Sequence, residues 1–216
     1  AAAVSGEECL AAIGTDTGGS IRQPANFCGC TGLKVTYGRV SRYGCISYAS
    51  SFDPIGPLAK TVEDVALVLE VIAGKDKRDA TTPPEPVDAY SQDLDADITG
   101  KVIGLPKEFF EAEGIDPQIK EATLRAAKML EKRGAVLQEI SLPLTEYAVP
   151  TYYLLVNAES STNLARYDGI HFGLSKEGKD LEELYKKTRE AGFGDEPKRK
   201  IILGTYTLSA GYVDAY

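Results

Sequence analysis

The stretch from residue 14 to residue 25, GTDTGGSIRQPA, combines residue types that acyl-transfer chemistry requires. A serine hydroxyl is a weak nucleophile at its own pKa. It reacts when a base takes its proton and when hydrogen-bond donors stabilise the oxyanion that its attack creates. Gly18 and Gly19 have no side chains, so consecutive main-chain N–H groups can turn toward Ser20. Ser20 is therefore a candidate nucleophile, and the candidate oxyanion donors are the N–H groups of Thr17, Gly18, Gly19 and Ser20.

Two charged residues flank this loop. Asp16 and Arg22 have opposite charges and stand on either side of the glycines and the serine. An ion pair between them would hold both ends of the turn, so that the loop need not reorganise during a reaction. We interpret both residues as structural supports and not as reacting groups.

The base for Ser20 is not apparent from spacing. A Ser-His-Asp arrangement would depend entirely on His171, which is the sole histidine and stands in the loop-like segment YDGIHFG. A serine activated by a neutral lysine is a known variation of the same logic, but no lysine is singled out by its position. The loop lacks the G-K-[ST] ending of a P-loop and the G-x-G-x-x-G spacing of a dinucleotide site. An ordinary polar loop remains the alternative to a catalytic one.

Composition narrows the class of protein. The chain has 32 acidic and 24 basic residues and a net charge of −8, which argues against direct binding of a nucleic acid backbone. No apolar run approaches the roughly 20 residues that cross a bilayer, and the N-terminus lacks a signal-peptide pattern, so we expect a cytoplasmic protein without membrane contact. The four cysteines are too sparse for a disulfide framework, and we predict no metal site.

The elements that position the loop indicate an α/β fold. Residues 1–5 are typical of a helix end. Residues 8–14 favour a buried strand, with a helix as the alternative for so short a run, whereas residues 26–57 predict irregular backbone with short strands. Residues 61–74 predict a buried helix with Val62, Val65, Leu69 and Ile72 on its inner face. Residues 101–143 predict a strand, a helix and a strand, and three further helices are predicted over 150–167, 180–192 and 199–216. Ile119, Ala122, Ala126, Met129 and Leu130 are the expected buried stripe of the helix over 116–134.

Alternating strands and helices predict a mixed or parallel sheet layered between helices. The chain begins AAAVSGEE without methionine and stops in the apolar segment LSAGYVDAY, so we expect a piece of a longer protein, truncated at both ends. The 216 residues are expected to form a single incomplete domain, residues 1–216.

Longer motifs carry a resemblance to a known family. The block GTDTGGSIRQPANFCGCTGLKVTYGRVSRYG, continued by ASSFDPIGPLAKTVEDVALVLEVIAG, resembles the amidase signature family of serine amidohydrolases. The later segments SSTNLARYDGIHFG, LEELYKKTREAGFG and ILGTYTLSAGYVDAY resemble its glutamine-hydrolysing, tRNA-dependent branch. The resemblance covers essentially the whole chain and implies the amidase signature fold.

The resemblance implies a Ser-Ser-Lys triad with Ser20 as the acyl-enzyme nucleophile and the N–H groups of the glycine loop as the oxyanion hole. The triad lysine and the bridging serine are expected before Ala1, so the 216 residues alone are expected to be inactive. Tyr152, in preference to Tyr153, is expected to contact the substrate. Lys200, where the family commonly has an arginine, is expected to meet the substrate carboxylate without a bidentate fork.

The resemblance further implies glutamine as the substrate and the B and C subunits of an amidotransferase as partners. Ammonia would pass to a partner that amidates mischarged Glu-tRNA(Gln), or Asp-tRNA(Asn), with ATP and Mg²⁺ bound by that partner and no cofactor bound by this chain. Two alternatives stay open. One is an amidase of the same family that acts on other amides, and the other is a non-catalytic interaction module whose glycine loop only binds anions.

Overall fold

A computed structural model describes residues 1–211 of the chain. The chain divides into two compact units, one containing Ala1–Gln92 and the chain from Tyr152 onward, the other containing Asp93–Thr151. The single domain expected over residues 1–216 stays a prediction. Within the described residues, no helix is both long and apolar enough to cross a bilayer.

The first unit contains a three-stranded antiparallel sheet. Its strands are β1 (Ala11–Thr15), β2 (Thr31–Gly32) and β3 (Ile55–Ala59), in the order β1-β3-β2. Ala59 of β3 is opposite Ala11 on one side and Thr31 on the other. The central strand β3 therefore sets the register for β1, at whose end the glycine loop begins.

Helices at the N-terminal side of this unit are α1 (Ala2–Ser5), α2 (Arg22–Cys28) and α3 (Val62–Ile72). The α3 helix begins with a capping box, in which the Thr61 hydroxyl accepts the Asp64 N–H and the Asp64 carboxylate accepts the Thr61 N–H. A buried cluster of Ile21, Ala25 and Leu58 packs α2 onto the sheet. The predicted α1, β1 and α3 are confirmed as elements, whereas α2 was not predicted. The burial expected for β1 is wrong, because none of its residues is buried and Ile13 is 58% exposed.

The buried face predicted for α3 is correct in part. Val65 and Leu69 are buried, and Leu69 packs with Val35 and Val40 in a second cluster. Val62, however, is 59% exposed, because it is the first residue of the helix and lies outside that packed face.

Three further helices follow in the chain, and the first of them begins in the last residues of the second unit. They are α6 (Ala148–Asn163), α7 (Leu181–Gly192) and α8 (Asp195–Thr207). All three were predicted, although α8 begins before the predicted residue 199. The last part of that predicted helix, residues 212–216, lies outside the described residues.

The second unit is a strand-helix-strand unit. Its elements are β4 (Val102–Pro106), the short α4 (Lys107–Glu111), α5 (Pro117–Lys132) and β5 (Val136–Ile140). Strands β4 and β5 are parallel, with Val102 opposite Val136, as the sequence predicts. Asp116 caps α5 by accepting the Gln118 N–H at 2.7 Å.

The buried stripe predicted for α5 is wrong. All five predicted residues are exposed, with Ile119 at 58% and Met129 at 67%, and the buried residue of this helix is Ala127. A two-stranded sheet can cover only a narrow strip of a helix, and the less exposed residues of α5 include the small Ala127 and the half-buried Leu124.

The α/β class is confirmed, with one difference from the expected sheet. Among residues 1–211, parallel pairing is restricted to β4 and β5, and the sheet beside the glycine loop is antiparallel. Hydrophobic periodicity identifies strands but does not determine their partners, so it could not separate one mixed sheet from two small ones.

Candidate active site

The glycine loop connects β1 to α2. Asp16 follows the last residue of β1, and its N–H donates to the Pro54 carbonyl at 3.1 Å, which extends the contact between this segment and the chain before β3. Ser20 lies two residues before α2 begins at Arg22. The loop is therefore fixed at one end by the sheet and at the other by a helix.

Asp16 and Arg22 form the predicted support. Arg22 donates from Nε to Asp16 Oδ2 and from Nη2 to Oδ1, both at 3.0 Å, in a bidentate pair. Asp16 Oδ2 also accepts the N–H groups of Ile21 and Arg22 at 3.3 Å. Burial of the Asp16 carboxylate raises its pKa, but the hydrogen bonds and charge of Arg22 outweigh burial, and the net pKa lies below its ordinary value. One fully buried carboxylate thus closes the loop on itself.

Asp53 is a second support that the sequence did not reveal. Its Oδ1 accepts the Thr17 hydroxyl at 2.5 Å, and its Oδ2 accepts the N–H groups of Tyr48 and Ala49 at 2.8 and 2.9 Å. Asp53 is 5% exposed. It therefore connects the glycine loop to residues 48–53, which are called the 48–53 turn below.

Tyr152 lies directly against the loop. A Cβ atom built on Gly18 would be 2.5 Å from the Tyr152 hydroxyl oxygen and 2.6 Å from Cζ, so the ring occupies the space that any side chain at Gly18 would fill. Edge contacts with Phe52 and Tyr153, at centroid distances of 6.4 and 5.5 Å, hold the ring there. Burial raises the pKa of the Tyr152 hydroxyl above its ordinary value. Of the two tyrosines considered, Tyr152 is the one at the loop.

Ser20 itself is exposed, and no hydrogen-bond partner for its hydroxyl is found among the described residues. The same holds for the N–H groups of the four loop residues: none of them has an acceptor within residues 1–211. Gly19 has a φ of +136°, which a residue with a side chain rarely adopts. A solvent-facing hydroxyl next to unsatisfied main-chain donors is the arrangement that an oxyanion hole requires.

Lys200, on the first turns of α8, faces the same region. Its ammonium nitrogen lies 5.2 Å from the centre of the Tyr48 ring, and the Lys200 side chain is 21% exposed. Interaction with the Tyr48 side chain raises the pKa of Lys200, and this effect outweighs the lowering that partial burial causes. The positive charge of Lys200 in turn acts to lower the pKa of Tyr152. Lys200 is therefore a cation close to the aromatic residues at the loop.

Helix α6 holds the 48–53 turn from the other side. The Glu159 carboxylate accepts the Ser51 N–H at 2.9 Å, and Asn163 Nδ2 donates to the Tyr48 carbonyl at 3.1 Å and to the Ser50 hydroxyl at 3.0 Å. The helix that carries Tyr152 thus also fixes the turn that carries Asp53. No sequence motif signalled these contacts, because they join residues more than 100 positions apart.

His171 does not take part in this arrangement. Its Nδ1 lies 2.6 Å from Asp168 Oδ2 in an exposed pair on the loop before α7. The N–H groups of His171 and Ile170 are the main cause that holds the pKa of Asp168 far below its ordinary value. The pair orders its own loop, and no contact joins it to the glycine loop in the part of the chain that the structure describes.

The exposed serine on a glycine loop is the kind of arrangement that acyl transfer requires, and comparison identifies the family of the chain. The family model described as Amidase matches residues 1–216, so the chain belongs to the amidase family. The A subunit of glutamyl-tRNA(Gln) amidotransferase from Sulfurihydrogenibium sp. is 57% identical over the whole chain, and its counterpart from Thermodesulfovibrio yellowstonii is 56% identical. The chain spans 44% of the length of each of these relatives.

Solved structures agree with this assignment. The crystal structure of the A subunit of glutamyl-tRNA(Gln) amidotransferase from Thermotoga maritima is similar with a TM-score of 0.73 and 40% identity, over 99% of this chain and 42% of that one. Peptide amidase from Stenotrophomonas maltophilia has the same TM-score at 33% identity, over 99% and 45% of the two chains. The fold is thus shared between a peptide amidase and a component of an amidotransferase.

Proposed function

We propose that this chain carries the nucleophile of a glutamine amidohydrolase that supplies ammonia to a tRNA-dependent amidotransferase. One observation supports the proposal above all. The exposed, unpaired hydroxyl of Ser20 lies beside main-chain N–H groups that have no acceptor among the described residues, on a loop fixed by Asp16 and Asp53.

In the proposed reaction, the Ser20 oxygen attacks the side-chain amide carbon of glutamine. The carbonyl oxygen becomes an oxyanion, and the N–H groups of Thr17, Gly18, Gly19 and Ser20 stabilise it by donating hydrogen bonds. The C–N bond then breaks, ammonia leaves with the proton taken from the serine, and water hydrolyses the ester to glutamate. Tyr152 and Lys200 would hold the substrate, with the ammonium of Lys200 on its carboxylate.

The base that takes the proton from Ser20 is proposed from the resemblance to the amidase signature family. In the family a neutral lysine takes the proton through a bridging serine, and both are expected before Ala1. General-base assistance contributes roughly 10² to 10⁴ in rate, so the polypeptide of residues 1–216 alone should be nearly inactive.

The names of the relatives, which are components of a glutamyl-tRNA(Gln) amidotransferase, support a proposal about partners. We propose that ammonia passes to the B subunit, which together with the C subunit amidates Glu-tRNA(Gln) in the cytoplasm. ATP and Mg²⁺ would be bound by the partner, since the net charge of −8 makes this chain a poor binder of polyanions.

A substitution of the nucleophile tests the proposal. In the longest natural polypeptide that contains residues 1–216, assembled with its partners, Ser20→Ala should abolish glutamine hydrolysis and labelling by a fluorophosphonate probe. Ser175→Ala is the matched control at another exposed serine and should change neither. Labelling that persists in Ser20→Ala removes the proposed nucleophile. Hydrolysis of other amides but not of glutamine would instead favour a simple amidase.

A further inference from the structure

The first turn of α8 places two cations within reach of one carboxylate. Glu196 precedes Arg199 by three residues and Lys200 by four, which are the two spacings that bring side chains together on a helix surface. Glu196 could therefore pair with either cation. Which cation it holds determines how much charge the other presents to a ligand.

In the structure, Glu196 is hydrogen-bonded to Arg199. Arg199 donates from Nε to Oε2 at 2.8 Å and from Nη2 to Oε1 at 2.7 Å, so both carboxylate oxygens are bound by one planar fork. Lys200 Nζ is 3.7 Å from Oε1, which is within ion-pair distance but beyond a normal hydrogen bond. A guanidinium matches a carboxylate in this bidentate way, whereas an ammonium acts as a point charge.

We infer that Arg199 is a specificity-determining residue that prevents Glu196 from forming a direct hydrogen bond with Lys200, so that the Lys200 ammonium can donate to the carboxylate of a substrate. Glu196 is in this view an internal competitor of that carboxylate. The inference rests on the proposed function, in which Lys200 binds a carboxylate-bearing amide. Arg199 acts through Glu196 and need not touch the substrate.

The inference predicts that a second substitution, at Glu196, reverses the effect of removing Arg199. A purely structural role of Arg199 does not predict this reversal. With Arg199→Ala, Glu196 loses its fork and needs a shift of only about 1 Å to hydrogen-bond Lys200. The KM for glutamine should then rise about fivefold, the upper end of the effect expected for a partly exposed ion pair, with kcat within twofold. Adding Glu196→Gln removes the competitor, and the KM should return to within twofold of the unmodified protein. Glu196→Gln alone should leave the KM unchanged or lower it.

The test is steady-state glutamine hydrolysis by the longest natural polypeptide with its partners. Arg125→Ala, which breaks an exposed ion pair with Glu121 on α5, is the matched control and should have no effect. A primary amide without a carboxylate should react equally with all variants. Thermal melting shows whether each variant is folded. If Arg199→Ala is unstable, Arg199→Gln replaces it in the same kinetic experiment.

The outcomes separate the two proposals. No turnover of glutamine by the unmodified protein contradicts the proposed function. Normal turnover with an unchanged KM in Arg199→Ala, or a raised KM that persists in the double variant, overturns the role of Arg199 alone. A raised KM in Glu196→Gln overturns it as well, because Glu196 would then assist Lys200.

Discussion

Gly18→Ala is the substitution that tests the site geometry most directly. The new Cβ would lie 2.5 Å from the Tyr152 hydroxyl oxygen, 2.6 Å from Cζ and 2.9 Å from Cε2. Nonbonded carbon atoms normally approach to about 3.5 Å, so the loop and the ring must separate by roughly 1 Å. The ring cannot simply swing away, because Phe52 and Tyr153 contact its edges.

Two magnitudes follow from this clash. Overpacking of this kind costs about 1–3 kcal/mol of unfolding free energy. A displacement of about 1 Å within a positioned site reduces turnover by roughly 100-fold. Activity should therefore fall far more than stability does.

The assay is glutamine hydrolysis together with thermal unfolding of the same preparation. Gly192→Ala is the matched control, since the Cβ there would be an ordinary 3.7 Å from Leu174, and it should leave activity unchanged. In a Tyr152→Ala background, Gly18→Ala should lose most of its stability cost, because the clashing ring is gone. A kcat/KM within twofold of the unmodified protein for Gly18→Ala would show that the ring and the loop do not meet as described.

Three further predictions concern the supports and the chain itself. Asp53→Asn should lower kcat about tenfold or more and lower the free energy of unfolding by about 1.5–3 kcal/mol, because an amide cannot accept from both the Thr17 hydroxyl and the two turn N–H groups. Steady-state kinetics measures the first effect and chemical denaturation the second. Asp16→Asn should cost about 1–2 kcal/mol near neutral pH, a value discounted because Arg22 is 53% exposed. The folded-state pKa of Asp16 is lowered, so its contribution is present above the ordinary value of 3.8 and is lost as the pH falls below it. The stability difference between Asp16→Asn and the unmodified protein should therefore shrink below about pH 4, and equal differences at about pH 3 and pH 7 would contradict this. The polypeptide of residues 1–216 should hydrolyse glutamine at least about 100-fold more slowly than the longest natural polypeptide, and near-equal turnover would refute the need for an added base.

Local patterns in the sequence were enough to predict most of the elements. The capping box at Thr61, the proline at the start of α5 and the glycine after it are local signals, and each marks a helix end in the structure. The Asp16–Arg22 pair was likewise predictable, since opposite charges six residues apart flank a single turn. Short-range chemistry of this kind is readable without knowledge of the fold.

The remaining features depend on contacts between distant segments. Asp53 gave no signal because its partners Thr17 and Tyr48 are brought together only by the pairing of β1 with β3. The exposed stripe of α5 was misassigned because periodicity reveals which side of a helix is apolar but not what covers it. The family resemblance selected Tyr152 over Tyr153, but the packing of the Tyr152 ring against Gly18 depends on the position of α6.

The hydrogen bonds that join α6 to the 48–53 turn have a consequence for the order in which the protein folds during biosynthesis. Ser51 and Glu159 are 108 residues apart, and Tyr48 and Asn163 are 115 apart. Closing loops of that length is slow compared with forming local helices, and a chain leaves the ribosome N-terminus first. The glycine loop and the 48–53 turn are therefore translated long before α6, so the contacts between α6 and this turn should be among the last in this unit to form.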